Sequence, residues 1–195
     1  MKLPLLLHAL LALALTGSAA PPVPKTDPSP EGRVPEMDAA LRGRHPRLFL
    51  NARTLPRIRQ FYSSEEGAVW RRQVEDYLPA CEPFDEPKFL DDATDGQRQG
   101  LWKLPTAALH YALTGDKASF AKAEGFLRKL EALPHWQTGR ERDSGMSSAN
   151  ILVGASLAYD WLFNELDPAF REAFGRKLLH KARAQFHCRS CDYYW

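Results

Sequence analysis

The sequence predicts an all-α fold built of helical hairpins. Three observations carry this. Apolar residues recur every three to four positions, capping signals stand where those runs begin, and no alternating apolar run of strand length occurs. With 44% hydrophobic and 26% charged residues the chain can fill a core, which excludes disorder throughout. Its 26 Lys+Arg against 24 Asp+Glu leave a net charge of +2, too little basic excess for wholesale nucleic-acid binding.

Residues 1–20, MKLPLLLHALLALALTGSAA, place one lysine before an apolar run from Leu3 to Leu15, then small residues to Ala20. That is the form of a secretory signal cleaved near Ala19 or Ala20, and the run is shorter than the roughly 20 residues of a membrane span. The chain is therefore expected to be secreted or periplasmic in a bacterium, with no membrane contact after signal removal. Residues 21–44 read as an extended linker, because seven of the fifteen prolines lie between Pro21 and Pro46 and proline fixes φ while donating no hydrogen bond. The folded part is expected from His45 to Trp195.

Asn51 can cap a first helix with Leu55, Ile58 and Phe61 or Tyr62 on one face; Pro56 is tolerable only because it comes early. Ser63 and Glu66 have capping-box spacing, and Trp70, Val74, Tyr77 and Leu78 then share a face. Residues 79–100 carry three prolines and six acids without a period, and read as a long loop. Residues 101–113 should form a buried helix, ended by the turn Thr114-Gly115-Asp116. Asp116 then caps a second helix with Phe120, Ala123, Leu127 and Leu130 as its apolar stripe. After Ser147-Ser148 comes NILVGASLAYDWLF, apolar nearly all round and so buried on most sides. Asp167-Pro168 starts the last helix, where Phe170, Phe174, Leu178, Ala182 and Phe186 fall every four residues.

The capping residues Asp116 and Asp167 are 51 residues apart, and each stands between a more buried helix and an amphipathic one. This is the repetition of stacked hairpins, which need further units or caps to cover their inner helices. The sequence ends on Asp192, Tyr193, Tyr194 and Trp195 without a polar capping helix, so the expectation is the N-terminal fragment of a longer protein.

Two stretches resemble one family. Residues 43–61, GRHPRLFLNARTLPRIRQF, are similar to the lead-in segment of heparinase II/III-like polysaccharide lyases. Residues 148–179 resemble the same family more closely, through Ala158-Tyr159-Asp160-Trp161-Leu162 and the Leu-Asp-Pro turn after it. The resemblance implies part of an incomplete (α/α) toroid, followed in complete members by a β-sandwich domain. It also implies β-elimination on an acidic, uronic-acid-containing polysaccharide. The family's Asn or His near the carboxylate and its Tyr/His pair match no position here, so no catalytic residue is assigned. No cofactor is expected.

Among the residues themselves, the loop from His135 to Ser148 holds Trp136, Arg140, Arg142 and Asp143. An aromatic face with forked guanidinium groups suits an acidic sugar; a solvated polar loop is the other reading. Asp160, an acid inside an apolar helix, invites a role as proton donor, but pairing with a neighbouring backbone donor or base at a hairpin contact is the favoured account. Asp91, Asp92 and Asp95 lack the ligand spacing of a calcium loop. Cys188 and Cys191 form half of a four-ligand zinc pattern, and in an exported chain read better as a local disulfide or as awaiting a partner; Cys81 is left over. The basic run at 171–189 reads as the solvated face of an outer helix. There is no nucleophile elbow, no HExxH and no phosphate-binding glycine loop. The rivals to a lyase are a toroid glycoside hydrolase, with Asp143 and Asp160 as its only tempting carboxylates, and a non-catalytic carbohydrate-binding module.

Overall fold

A computed structural model describes residues 39–85, 93–136 and 145–190, with side chains to residue 185. The signal segment, most of the proline-rich linker and the C-terminal residues 191–195 lie outside the described residues. Among those described there is no strand. The all-α expectation therefore holds. Where the described residues begin, Ala39–Leu41 form a 3₁₀ turn.

The chain then folds as α1 (Leu55–Ser63), α2 (Ala68–Tyr77) running into a 3₁₀ turn at Leu78–Ala80, and α3 (Ala93–Gln97). A π-helical stretch at Arg98–Lys103 leads into α4 (Leu104–Thr114), followed by α5 (Lys117–Ala132), α6 (Met146–Leu162) and α7 (Pro168–Ser190). Two hairpins, α4–α5 and α6–α7, pack chiefly through their first helices, α4 against α6. Between them lies the core, with Leu104, Ala107 and Ala108 of α4, Leu127 and Leu130 of α5, Ala155, Ala158 and Leu162 of α6, and Phe174 of α7, all essentially without exposure. No described helix is long and apolar enough to cross a membrane.

Several boundaries follow from local chemistry. Asn51 Oδ1 accepts from the N–H groups of Arg53 and Thr54 at 2.9 and 3.1 Å, the expected cap, one turn before α1. Gly115, in the left-handed region at φ 77°, ends α4, and Asp116 Oδ2 accepts from Ser119 N at 2.9 Å to start α5. Asp167 Oδ1 accepts from Phe170 N at 2.9 Å to start α7.

Four expectations are corrected. Ser63 remains in α1, its hydroxyl returned to Arg59 O at 2.9 Å, and the turn before α2 is held instead by Ser64, whose Oγ accepts from Gly67 N at 3.1 Å. The last helix pair begins at Met146 rather than after Ser148, so Ser147 and Ser148 are buried helical residues. On α7 the buried stripe turns to Lys181, 1% exposed, while Ala182 is exposed. A helix of 3.6 residues per turn drifts off a strict spacing of four, and Lys181 is accommodated because Nζ donates to Pro134 O at 2.6 Å. The basic run is thus only partly a solvated face.

The fourth correction is the largest. Residues 93–103, read as the end of a loop and the start of the buried helix, form α3 and the π-helical stretch. They lie against α6 at backbone contact. A Cβ on Gly154 would fall 1.6 Å from Gly100 O, one on Gly100 2.6 Å from Asn150 O, and one on Gly96 2.8 Å from Ser147 Cβ. Glycine on both helices is what lets them approach, and the gain comes from contact with residues some 50 positions away. Gly154→Ala should therefore cost about 3 kcal/mol, the upper part of the range for overpacking, because backbone rather than a side-chain tip must move. A denaturation midpoint equal to wild type would refute the close crossing.

Candidate functional site

The most densely bonded polar group in the fold is Asp160, two residues before the end of α6 and 2% exposed. Its Oδ1 lies 2.6 Å from His45 Nδ1 and 3.8 Å from Arg47 Nε. Oδ2 accepts from the backbone N–H groups of Arg47 and Leu48, each at 2.7 Å. The same turn of α6 adds further grips. Trp161 Nε1 donates to Leu48 O at 2.7 Å, Asn164 Nδ2 donates to His45 O at 2.9 Å, and the His45 ring stacks on Phe163 at 3.6 Å between centroids. The two stretches that carry the family resemblance thus meet in one clasp across 112–119 residues.

Chemically, His45 and Asp160 form an oriented imidazole–carboxylate pair, the kind that can relay a proton. Both side chains are nearly buried, at 8% and 3% exposure, and both carboxylate oxygens are occupied. The clasp fixes structure, as the favoured reading of Asp160 held. It differs in its partners, which come from the lead-in segment rather than from a hairpin contact.

A second cluster has the residue types of a hydrolytic triad and not its geometry. Ser119 Oγ donates to Asp116 Oδ2 at 2.7 Å and lies 2.8 Å from His110 Nδ1. The hydroxyl proton is spent on the carboxylate, so Nδ1 carries its own proton and donates to Oγ. His110 is therefore not placed to take the Ser119 proton, and Ser119 is itself 2% exposed. The bonds from Ser119 hold the Asp116 carboxyl below its ordinary pKa. Burial pushes the His110 pKa down from its ordinary 6.5, more than nearby Asp116 and Glu75 raise it.

The loop residues proposed from sequence divide. Trp136 is fully buried: Nε1 donates to Leu130 O at 3.0 Å, Phe174 packs 6.4 Å away, and Lys181 Nζ stands 5.5 Å from the ring centroid. The indole therefore serves the core and shows no face to a sugar, because α7 covers it. Arg140, Arg142 and Asp143 lie outside the described residues, as do Asp91, Asp92 and Cys191; nor is the side chain of Cys188 described. Asp95 sits 3.3 Å from Arg98 Nη1. Among the described residues no three His, Cys, Asp or Glu side chains converge as metal ligands. Cys81 is buried as a free thiol, its pKa pushed up to about 12 by desolvation, and is unreactive as placed. A scan against protein-family models finds no match for this chain, and a search of curated proteins finds none either.

Two measurements check these assignments. Asp160→Ala should destabilise the fold by about 2–4 kcal/mol in chemical denaturation, since it strands three part-buried donors on residues 45–48; a loss below 1 kcal/mol would show the clasp to be incidental. For His110, a folded pKa below the unfolded one means that stability is lost as pH falls through the unfolded value near 6.5. The stability advantage of wild type over His110→Gln should accordingly shrink between pH 7 and pH 5. A gap that is constant or widens would contradict the burial argument.

Proposed function

We propose that the chain is the N-terminal helical part of an exported heparinase II/III-like polysaccharide lyase. In this reading the stacked hairpins belong to an (α/α) toroid that binds an acidic, uronic-acid-containing polysaccharide for β-elimination. The observation that carries the reading is the clasp. Residues 43–61 and 148–179, which resemble the family separately, are bonded to each other through His45, Arg47, Leu48, Asp160 and Trp161. A resemblance confined to unrelated surface patches would have no such reason to converge.

β-Elimination neutralises the uronate carboxylate, removes the proton at C5 and expels the oxygen at C4 as the C4–C5 double bond forms. It needs a carboxylate partner, a base and an acid within reach of one sugar. His45 is held in the clasp and His110 in the α4–α5 hairpin, so neither supplies those roles. The resemblance puts the reacting groups in segments that follow the last helix here. The hydrolase reading weakens on Asp160, whose two oxygens are already engaged and cannot flank a glycosidic bond.

The test is an absorbance assay for unsaturated sugar on heparan sulfate, chondroitin and alginate, with the full-length gene product beside the 195-residue chain. Absorbance should rise with the full-length protein and stay flat with the chain alone. New reducing ends without absorbance would establish a hydrolase instead, and binding without any cleavage would establish a carbohydrate-binding module.

A further inference from the structure

Helix α1 has one side committed to the fold. Ile58 and Tyr62 are buried, and the Arg59 guanidinium donates twice to Ala112 O, at 2.9 and 2.7 Å, closing the C-terminal end of α4. A neighbouring face of α1, with the turn that leads to α2, walls a groove of about 300 Å³ lined by Ile58 and Phe61 together with Thr54, Arg57, Gln60, Ser64 and Glu66. Its frame is rigid. Thr54 Oγ1 donates to Phe49 O at 2.7 Å and accepts from Asn51 N at 2.9 Å, while Ser64 Oγ donates to Phe61 O at 2.7 Å and accepts from Gly67 N. A Cβ on Gly67 would fall 1.9 Å from Phe61 O, so a glycine is required for α2 to begin against the end of α1.

Within that frame stand three polar side chains of different chemistry, Arg57, Gln60 and Glu66. None makes a hydrogen bond or ion pair among the described residues. Arg57 and Glu66 line one groove and yet do not pair with each other. Beside them is the half-buried ring of Phe61. The lining carries one cation, Arg57, and one acid, Glu66, and so offers both a fork for an anion and an acceptor for hydroxyl groups.

We propose that this groove is a subsite for an acidic sugar. The Arg57 fork takes the carboxylate, Gln60 and Glu66 take ring hydroxyls, and the C–H face of the sugar lies on Phe61. The volume is at the lower end for ligand sites and suits a short saccharide rather than a long stretch of polymer. The choice of an acidic sugar rests on the lyase reading; the uncommitted groups in a rigid groove do not.

The experiment titrates the 195-residue chain with unsulfated tetrasaccharides of heparan, chondroitin and alginate, and with a neutral glucan of the same length, following backbone amide resonances. At least one acidic tetrasaccharide should shift amides in residues 54–66, and the neutral one should bind about tenfold more weakly or not at all. Arg57→Ala should weaken acidic binding by about tenfold, the loss of one charge-assisted forked contact, and Gln60→Ala by a few fold. Both side chains are exposed, so melting temperature should not move and binding loss will not be confused with unfolding. The proposal is overturned if no acidic tetrasaccharide binds, if the shifts lie elsewhere, if the neutral glucan binds equally, or if Arg57→Ala binds like wild type. A full-length protein that yields no unsaturated sugar would sink the lyase reading alone, since Arg57-dependent binding is read independently of turnover.

Discussion

A carboxylate buried in an apolar helix is the constraint around which this fold is arranged. An ionised acid removed from water costs several kcal/mol unless hydrogen bonds replace its hydration. Asp160 receives them from a segment more than a hundred residues earlier, and two of its donors are consecutive backbone N–H groups. Bonding to backbone fixes the path of residues 45–48 rather than their nearness alone. The consequences run forward along the chain. Phe49 is held at φ 62°, a conformation that costs a non-glycine residue about 1–2 kcal/mol. Leu48 on one side, bonded through both N and O, and the Asn51–Thr54 turn on the other hold it there. That turn aims α1, and α1 delivers Arg59 to the last carbonyls of α4. One desolvated charge in α6 therefore sets the position of the first helix and, through it, the end of the first hairpin.

What the sequence made legible was local. Asn51, Asp116 and Asp167 act within three residues of themselves, so their capping could be read from spacing. The departures have causes far off in the chain. The tight approach of Gly96 and Gly100 to α6 stabilises helix where composition argued for loop, and nothing in residues 79–100 announces a partner at Ser147, Asn150 or Gly154. Lys181 looks solvated by type; only the carbonyl of Pro134, 47 residues away, makes its burial tolerable.

The site was legible in the same divided way. Asp160 stood out as an acid among apolar neighbours, but its partners could not be named, since no pattern links position 160 to the N–H groups of residues 47 and 48. Trp136 misled because an aromatic beside arginines suggests a sugar platform, whereas its N–H had a buried acceptor in Leu130 and its ring a cover in α7. The groove on α1 left only a weak signal: Arg57, Gln60 and Ser64 recur at helical spacing beside the face of Leu55, Ile58 and Tyr62.

Polar groups in this protein fall into two kinds, and the division bears on what the chain does. Most near the clasp are spent on holding it: His45, Arg47, Asp160, Trp161 and Asn164 each have partners inside the fold. Those left unspent at Arg57, Gln60 and Glu66 sit on a frame made rigid by bonded neighbours. A rigid frame carrying unsatisfied polar groups suits binding, because the backbone beneath those groups need not be ordered when a ligand arrives. Catalysis requires more, a base and an acid converging on one atom, and His45 and His110 are occupied in structure. Under the lyase reading the labour is thus split along the chain. This part would grip and orient an acidic polymer, and groups placed elsewhere would perform the elimination. Orientation can supply a large share of the lowering of a barrier even where the reacting groups lie elsewhere.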